Sequence, residues 1–347
     1  MAFEKILVMI AIFTILGTLA SQATSRALYK ASIAEKHEQW MAEYGRVYPD
    51  STEKERRFTI FKKNVEFVEK FNNDREKTYK LSVNQFSDMT NEEFLRHHTG
   101  YKTPAGTSLT SSSEDKSFIY RSLSIDDIPA SLDWSEQGAV TSIKDQGSCN
   151  VCWAFAAAAA VEGITKIKTG QLVSLSEQQL LECDRNIGCD SGDIRSAFEY
   201  IKTNGGIASE EKYPYLSTPD MLTVQECDTR KETMQAARIT GYENVTPNNQ
   251  NALLKAVSMQ PVATAIDSHG MEFRSYGGGV FKGPCGQTLN HAVTIIGYGT
   301  DNGTNYWLIK NSWGDKWGEK GYMRILRTET NGAGLCGLAM YASYPIV

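Results

Sequence analysis

No cysteine precedes Cys149 in this 347-residue chain; all seven, at 149, 152, 183, 189, 227, 285 and 336, lie in the C-terminal two thirds. A disulfide framework is thereby excluded from the N-terminal part. Histidine is scarce, with five residues at 37, 97, 98, 269 and 291, so imidazole chemistry has few candidates. No strongly basic stretch interrupts the net charge of -5, which argues against a nucleic-acid partner. The apolar run from Ile6 to Leu16 is too short to span a membrane comfortably. It follows Lys5 and gives way to small and polar residues around Ala20 to Ser25, the pattern of a cleaved secretory signal over residues 1–23. No membrane association is expected after cleavage, and no KDEL-like ending follows Val347.

What is present is a soluble globular composition, 41% apolar and 22% charged, long enough for two or three domains. Secretion permits disulfides. An odd number of cysteines leaves at least one sulfur without an intramolecular partner, and an unpaired thiol in a secreted protein is a candidate for reactivity. The pairing of the others is open at this point.

The stretch from Gln146 to Phe155 carries a thiol from a polar, glycine-containing loop into an alanine-rich run. Trp153 to Thr169 contains no proline, and Gly170 supplies a stop, so the spacing predicts a buried helix with Cys152 at its N-terminus. Unpaired N–H groups and the positive end of the helix dipole favour thiolate there. Taken alone, a cysteine in this place is also compatible with packing or a disulfide.

The chain before this helix is charged. Glu53, Arg57, Phe61, Asn64, Val68 and Asn72 recur at helical spacing, so about 100° per residue places them on one face. Residues 103–117, rich in serine and threonine with Pro104 and Gly106, read as an exposed linker. After Ile128 the periodicity is first helical, with a cap at Ser176 and a helix around Ile194 to Ile201 closed by Gly205-Gly206. It then becomes strand-like at Val262–Ile266, Ala292–Tyr298, Tyr306–Lys310 and Tyr322–Leu326. A helical lobe at about 128–240 and a β lobe at about 241–347 would leave a cleft between them.

A thiol nucleophile needs a base. His269 sits in a turn-like Asp-Ser-His-Gly, whereas His291 enters an apolar strand in Leu-Asn-His-Ala-Val. Asn311, in Lys-Asn-Ser-Trp-Gly, could orient that imidazole, with Trp313 shielding the bond. Gln146 could donate to a developing oxyanion.

With these motifs in order, the chain resembles the papain-like cysteine proteases of plant and cathepsin type. The resemblance rests on the block ending Cys152-Trp153-Ala154-Phe155, on Leu-Asn-His-Ala-Val, Lys-Asn-Ser-Trp-Gly and Cys336-Gly337-Leu338-Ala339-Met340. It also rests on the helical face from Glu53 to Asn72 and on Asn84, Phe86 and Asp88. It implies an α+β fold of two lobes, helical and β-barrel-like, preceded by a helical inhibitory prodomain, with a prosegment at 24–127 and a mature peptidase at 128–347. It implies an endopeptidase made as an inactive precursor, with Cys152 as nucleophile, His291 as base and acid, Asn311 as orienter and Gln146 as oxyanion donor. The same resemblance pairs Cys149 with Cys189, Cys183 with Cys227 and Cys285 with Cys336. It places Gly192, Asp193, Ile194, Ala265, Leu289, Tyr341 and Trp313 along the substrate. The implied partners are protein or peptide substrates, the chain's own prosegment and cystatin-type inhibitors. A monomer without metal or cofactor, extracellular or vacuolar/lysosomal, is expected.

The chain departs from the family pattern at Asn150-Val151, where glycine and a small residue are usual, and at Asp193, where an apolar residue is usual. Asparagine would be the least costly substitute if residue 150 had positive φ. Asp193 at the rim and Tyr341 at the floor suggest a pocket shorter than in relatives, less strict for large apolar residues and tolerant of a basic one. Asn244 and Asn302 begin glycosylation sequons, the first followed directly by Pro247 after its threonine. A silent family member acting as a binding or storage protein, and a zinc module using Cys149 and Cys152, are the competing functions.

Overall fold

Residues 31–107, 109, 118–184, 189–216 and 226–347 are described by the computed structural model; the signal at 1–23 and most of the 103–117 linker lie outside them. The chain divides into two units. One extends to Phe67 and includes Ser87–Met89; the other comprises Val68–Phe86 and Thr90–Val347.

In the first unit, helical residues 31–43 pack against helix α1 (Ser51–Asn72), whose last residues belong to the second unit. Ile33, Trp40, Phe61 and Val65 form its core, with the His37 ring 4.9 Å from Phe61. The helical face read from the sequence has work to do here. Glu53 pairs with Arg57 at 2.6 Å, Arg57 donates to the Asp88 carbonyl, and the Asn64 amide donates to the carbonyls of Ser87 and Met89. These bonds satisfy backbone groups of a segment with no ladder of its own.

In the second unit, Asn72 at the end of α1 both donates to and accepts from the backbone of Leu81, fixing strand β1 (Tyr79–Leu81). Helix α2 (Asn91–His98) follows, started by a capping box in which Thr90 and Glu93 satisfy each other's backbone N–H groups. Then comes β2 (Leu132–Asp133). Helix α3 (Cys152–Thr169) ends at Gly170 with φ 77°, and α4 (Glu177–Cys183) is capped by Ser176, whose hydroxyl accepts from the Gln179 N–H. Helix α5 (Ile194–Thr203) starts from Asp193. A small ladder joins β3 (Ile207–Ala208) to β4 (Gln235–Ala237).

The remaining strands are β5 (Gly241–Asn244), β6 (Val262–Ile266), β7 (Tyr276–Phe281), β8 (His291–Asp301), β9 (Thr304–Lys310), β10 (Tyr322–Leu326) and β11 (Ala342–Ile346). They form one sheet in the order β1-β7-β10-β9-β8-β6-β11-β5, with β2 on β8; β7 and β10 run parallel and the other pairs antiparallel. The alanine face of α3 lets the sheet come close: the Thr294 hydroxyl on β8 donates to the Ala156 carbonyl at 3.2 Å. Helical layer and sheet thus meet along the start of α3 and the start of β8, where Cys152 and His291 lie.

Candidate active site

Cys152 is the first residue of α3, and among the described cysteines it alone is free. The other six form Cys149–Cys189, Cys183–Cys227 and Cys285–Cys336. With Cys149 in a disulfide, the zinc module loses one of its ligands. The Cys152 sulfur, fully buried, accepts the N–H of Ala292 at 3.3 Å, which ties it to the residue after His291.

His291 opens β8 and Asn311 follows β9. The register Thr294 to Lys310 brings these strand ends together. His291 Nε2 lies 2.8 Å from Asn311 Oδ1, and that same oxygen accepts the Ser312 backbone N–H at 2.8 Å. A backbone N–H can only donate, so the atom is an oxygen; Nε2 must therefore carry the proton. The neutral ring consequently keeps its lone pair on Nδ1, which is buried without a hydrogen-bond partner. That is the tautomer a base needs. Trp313 stacks on the ring at 4.4 Å and screens the bond to Asn311.

Gln146 is fully buried, its Oε1 accepting from the Ser312 hydroxyl at 2.7 Å and its Nε2 donating to the Cys149 carbonyl at 2.9 Å. An amide nitrogen has two hydrogens, so one remains for an oxyanion. Beneath these residues runs a feature invisible in the sequence. Lys144, two residues before Gln146, bonds Glu177 of α4 at 2.7 Å and Glu162 of α3 at 3.3 Å; Lys310, adjacent to Asn311, bonds Thr141, which bonds Glu162. Burial opposes the Lys144 charge, but Glu177 and Glu162 outweigh it and hold its pKa above the usual lysine range.

The chain that precedes Cys152 and His291 packs over them. Strand β1 adds to β7, Asn84 donates to the Arg274 carbonyl, and Phe86 and Phe94 pack edge-on against Trp313, whose indole donates to His98 O. The Gly100 and Tyr101 N–H groups both donate to Asn290 O, while Gly192 donates to Gly100 O and accepts from Lys102 N. Tyr101 pairs parallel with Gly192 and buries its ring, 5.4 Å from that of Tyr341, in an apolar cluster with Ile194, Ala265 and Leu289.

Under this cover burial disfavours the charged forms of both Cys152 and His291. Burial pushes the Cys152 thiol up to about 12, against the pull of backbone N–H groups from Ala292, Trp153, Cys152 itself and Tyr101. Burial pushes His291 down to about 4, against the support of Asn311. Between those values thiol and imidazole are both neutral.

Residues 128–346 match the family described as papain family cysteine protease, and 37–94 match the cathepsin propeptide inhibitor domain. The chain belongs to the papain family of cysteine proteases.

Among its relatives is the senescence-specific cysteine protease SAG12 of Arabidopsis thaliana, 48% identical with 99% of this chain and 98% of that protein covered. Fruit bromelain of Ananas comosus is 44% identical over 99% and 95%. Of solved structures, a recombinant stem bromelain precursor shares 46% identity at a TM-score of 0.81, covering 91% of this chain and 99% of that one. The proform of the ragweed pollen cysteine protease Amb a 11 shares 41% at 0.81, covering 91% and 94%. This papain-family chain is accordingly a thiol endopeptidase with the two-lobe α+β fold, made as a precursor under its own prosegment.

The three departures from the family pattern each find a place in the fold. Asn150 does not adopt positive φ, so replacing the family's glycine brings no backbone strain. Val151 sits at φ -115° and is wholly buried in the helical-lobe core, where a branched side chain fits. Asp193 is not a free rim charge, because its carboxylate accepts the Arg195 and Ser196 N–H groups as the cap of α5; behind the pocket, Arg195 stacks on Tyr341 at 3.6 Å. Of the sequons, Asn302 is exposed at the β8–β9 turn with φ 47°, whereas Asn244 lies in β5 accepting from Ser343.

Proposed function

We propose that Cys152, His291, Asn311 and Gln146 carry the proteolysis in the following roles. Once the prosegment is gone, His291 Nδ1 takes the Cys152 proton and the thiolate attacks the peptide carbonyl. Gln146 and the Cys152 N–H hold the oxyanion, the imidazolium protonates the leaving amine, and water then cleaves the thioester with His291 as base. Asn311 keeps Nε2 protonated throughout, so that Nδ1 is the nitrogen that cycles. The observation that carries this reading is the Ser312 N–H on Asn311 Oδ1, which assigns the tautomer.

The mature enzyme would comprise residues 128–347, released by cleavage near 126–128 from a prosegment at 24–127 that follows the signal 1–23. It would act as a monomer in the extracellular space or in a vacuolar or lysosomal compartment, subject to cystatin-type inhibitors, with any glycan on Asn302. Gly192 would bond the substrate backbone, Trp313 would flank the leaving side, and Ile194, Ala265, Leu289 and Tyr341 would line the pocket for the second residue before the cut. The burial of Tyr101 beside Tyr341 supports an aromatic occupant. A peptide library varied at that residue tests the pocket: preference for tyrosine or phenylalanine over lysine is expected, and equal or better cleavage of peptides with lysine at that residue would contradict it.

A further inference from the structure

We infer that the mature enzyme carries a peptide-binding exosite outside the cleft, formed by Tyr344, Glu243, Gln260 and Lys255, which holds protein substrates through a turn of the form aromatic-x-tyrosine. The inference rests on the proposed start of the mature chain near residue 128, because until then residues 118–121 fill the site.

Those residues, Phe118-Ile119-Tyr120-Arg121, lie beyond the 37–94 stretch that matches the inhibitor domain and ahead of the cleavage region at 126–128. They form a turn, in which the Arg121 N–H donates to Phe118 O at 3.2 Å. Phe118 faces inward at 5% exposure, while its neighbour Ile119 faces out at 48%. The Phe118 and Tyr120 rings lie 6.3 and 5.3 Å from that of Tyr344 on β11 and 6.0 Å from each other, so three aromatic rings form one cluster. Ring pairs in such arrangements attract beyond what their buried area contributes.

The polar groups around the rings are matched as closely. Glu243 on β5 stands opposite Tyr344 in the ladder, and one of its carboxylate oxygens accepts both the Tyr344 hydroxyl at 2.7 Å and the Ile119 N–H at 3.0 Å. Gln260, only 1% exposed, is pinned by its nitrogen, which donates to Pro345 O at 3.0 Å; its Oε1 accepts the Tyr120 hydroxyl at 3.0 Å. Lys255 donates to Arg121 O at 3.0 Å. Two rings, a backbone N–H, a phenol and a carbonyl are thus received by groups that all belong to the mature chain. Once 118–121 departs, Gln260 Oε1 loses its donor and the Tyr344 ring loses the two rings packed on it. A segment of the same chemistry restores both. Strand β5 edges the sheet three strands from β8, about 14 Å at about 4.8 Å per strand, so one polypeptide can occupy this site and the cleft together.

The experiment uses enzyme processed from the full-length precursor, its start at or after residue 126 verified by intact mass. The probe is the synthetic peptide Phe-Ile-Tyr-Arg-Ser-Leu-Ser of residues 118–124 with a C-terminal fluorophore. With Cys152 blocked by an epoxide, anisotropy should show saturable binding. Tyr120→Phe in the peptide, which leaves Gln260 without its donor, should weaken binding about tenfold, as should Glu243→Ala in the enzyme; alanine at both aromatic positions of the peptide should abolish it. The intact precursor, whose site is filled, should not bind the probe. In the active enzyme, a quenched fluorogenic peptide joined to this segment by a Gly/Ser linker of about 30 residues, about 30 Å in root-mean-square span, should show a KM about tenfold below that of its double-alanine counterpart, with kcat unchanged. Absence of binding to the folded processed enzyme, binding indifferent to the aromatic pair, equal binding by the precursor, or a processed chain that keeps 118–121 would each overturn the inference while leaving the peptidase intact. Binding without the KM difference would overturn the substrate role and leave a seat for the released prosegment alone. A processed protein that takes up no epoxide and cleaves nothing would overturn the peptidase reading and the substrate role with it, a pattern distinct from the other failures.

Discussion

Gly100→Ala in the full-length precursor should open the cleft. The added Cβ would come within 2.2 to 2.6 Å of three Asn150 atoms, two of them backbone, and residue 100 has φ 146°, where a side chain is strained whatever the space. Overpacking against such atoms costs about 1–3 kcal/mol, and the strained backbone costs about 1–3 kcal/mol more. Since about 1.4 kcal/mol is a factor of ten, a total of about 2–6 kcal/mol should raise the fraction of precursor with an uncovered Cys152 by about 30-fold to about 10^4-fold. The assay is the rate at which the unprocessed precursor takes up an epoxide label, followed by intact mass before any cleavage occurs. Gly106→Ala is the control, because its φ is also positive, at 81°, but a Cβ there meets nothing within 4 Å. Labelling of Gly100→Ala as slow as that of wild type, or no faster than that of Gly106→Ala, would refute the claim that this close passage keeps the prosegment in place.

Three further outcomes follow from the same geometry. Gln146→Ala should lower kcat of the processed enzyme by about 10^2 to 10^3 with a smaller change in KM, as measured by steady-state kinetics. Acid should loosen the precursor. His291, with its pKa depressed from 6.5 to about 4 when covered, binds fewer protons closed than open, so stability of the closed form is full above pH 6.5 and is lost as pH falls toward 4. That amounts to about 3 kcal/mol, read as a rise in labelling rate across the window and abolished in a His291→Gln thermal-shift comparison. Lys144→Met should leave Glu177 without a cationic partner in the interior, while Glu162 keeps Lys310 at 3.9 Å, and cost about 3–5 kcal/mol of stability, seen as a large fall in melting temperature.

Much of the site is legible in the sequence. A lone glycine after a proline-free run located α3 and put Cys152 at its start, the Ser176 and Gln179 pair located α4, and the period-two runs located β6, β9 and β10 to within a few residues. What stayed hidden depends on distant partners. Strand β1 is three residues long and exists because Tyr79 meets Gly279, so no local pattern announces it. Helix α2 did carry a signal, the Thr90 and Glu93 capping box, which a search for longer apolar periods passes over. Lys144, Glu162, Glu177 and Lys310 look like surface charges in the sequence, and only the fold makes them an interior network under Gln146 and Asn311. Asp193 carries a second role that the sequence did not announce: a carboxylate just before a helix is a good cap, and here it accepts the orphan N–H groups of α5.

In the proposed mechanism one thiol, Cys152, performs the chemistry and stays covered until the prosegment leaves. The most direct test is titration of the processed protein with an irreversible epoxide at mildly acidic pH in a reducing buffer, beside the intact precursor, while hydrolysis of a dipeptide fluorogenic substrate is followed. Stoichiometric label on Cys152 with parallel loss of turnover in the processed form, and little of either in the precursor, is the predicted result. A folded, correctly processed protein that takes up no label and cleaves nothing would contradict it.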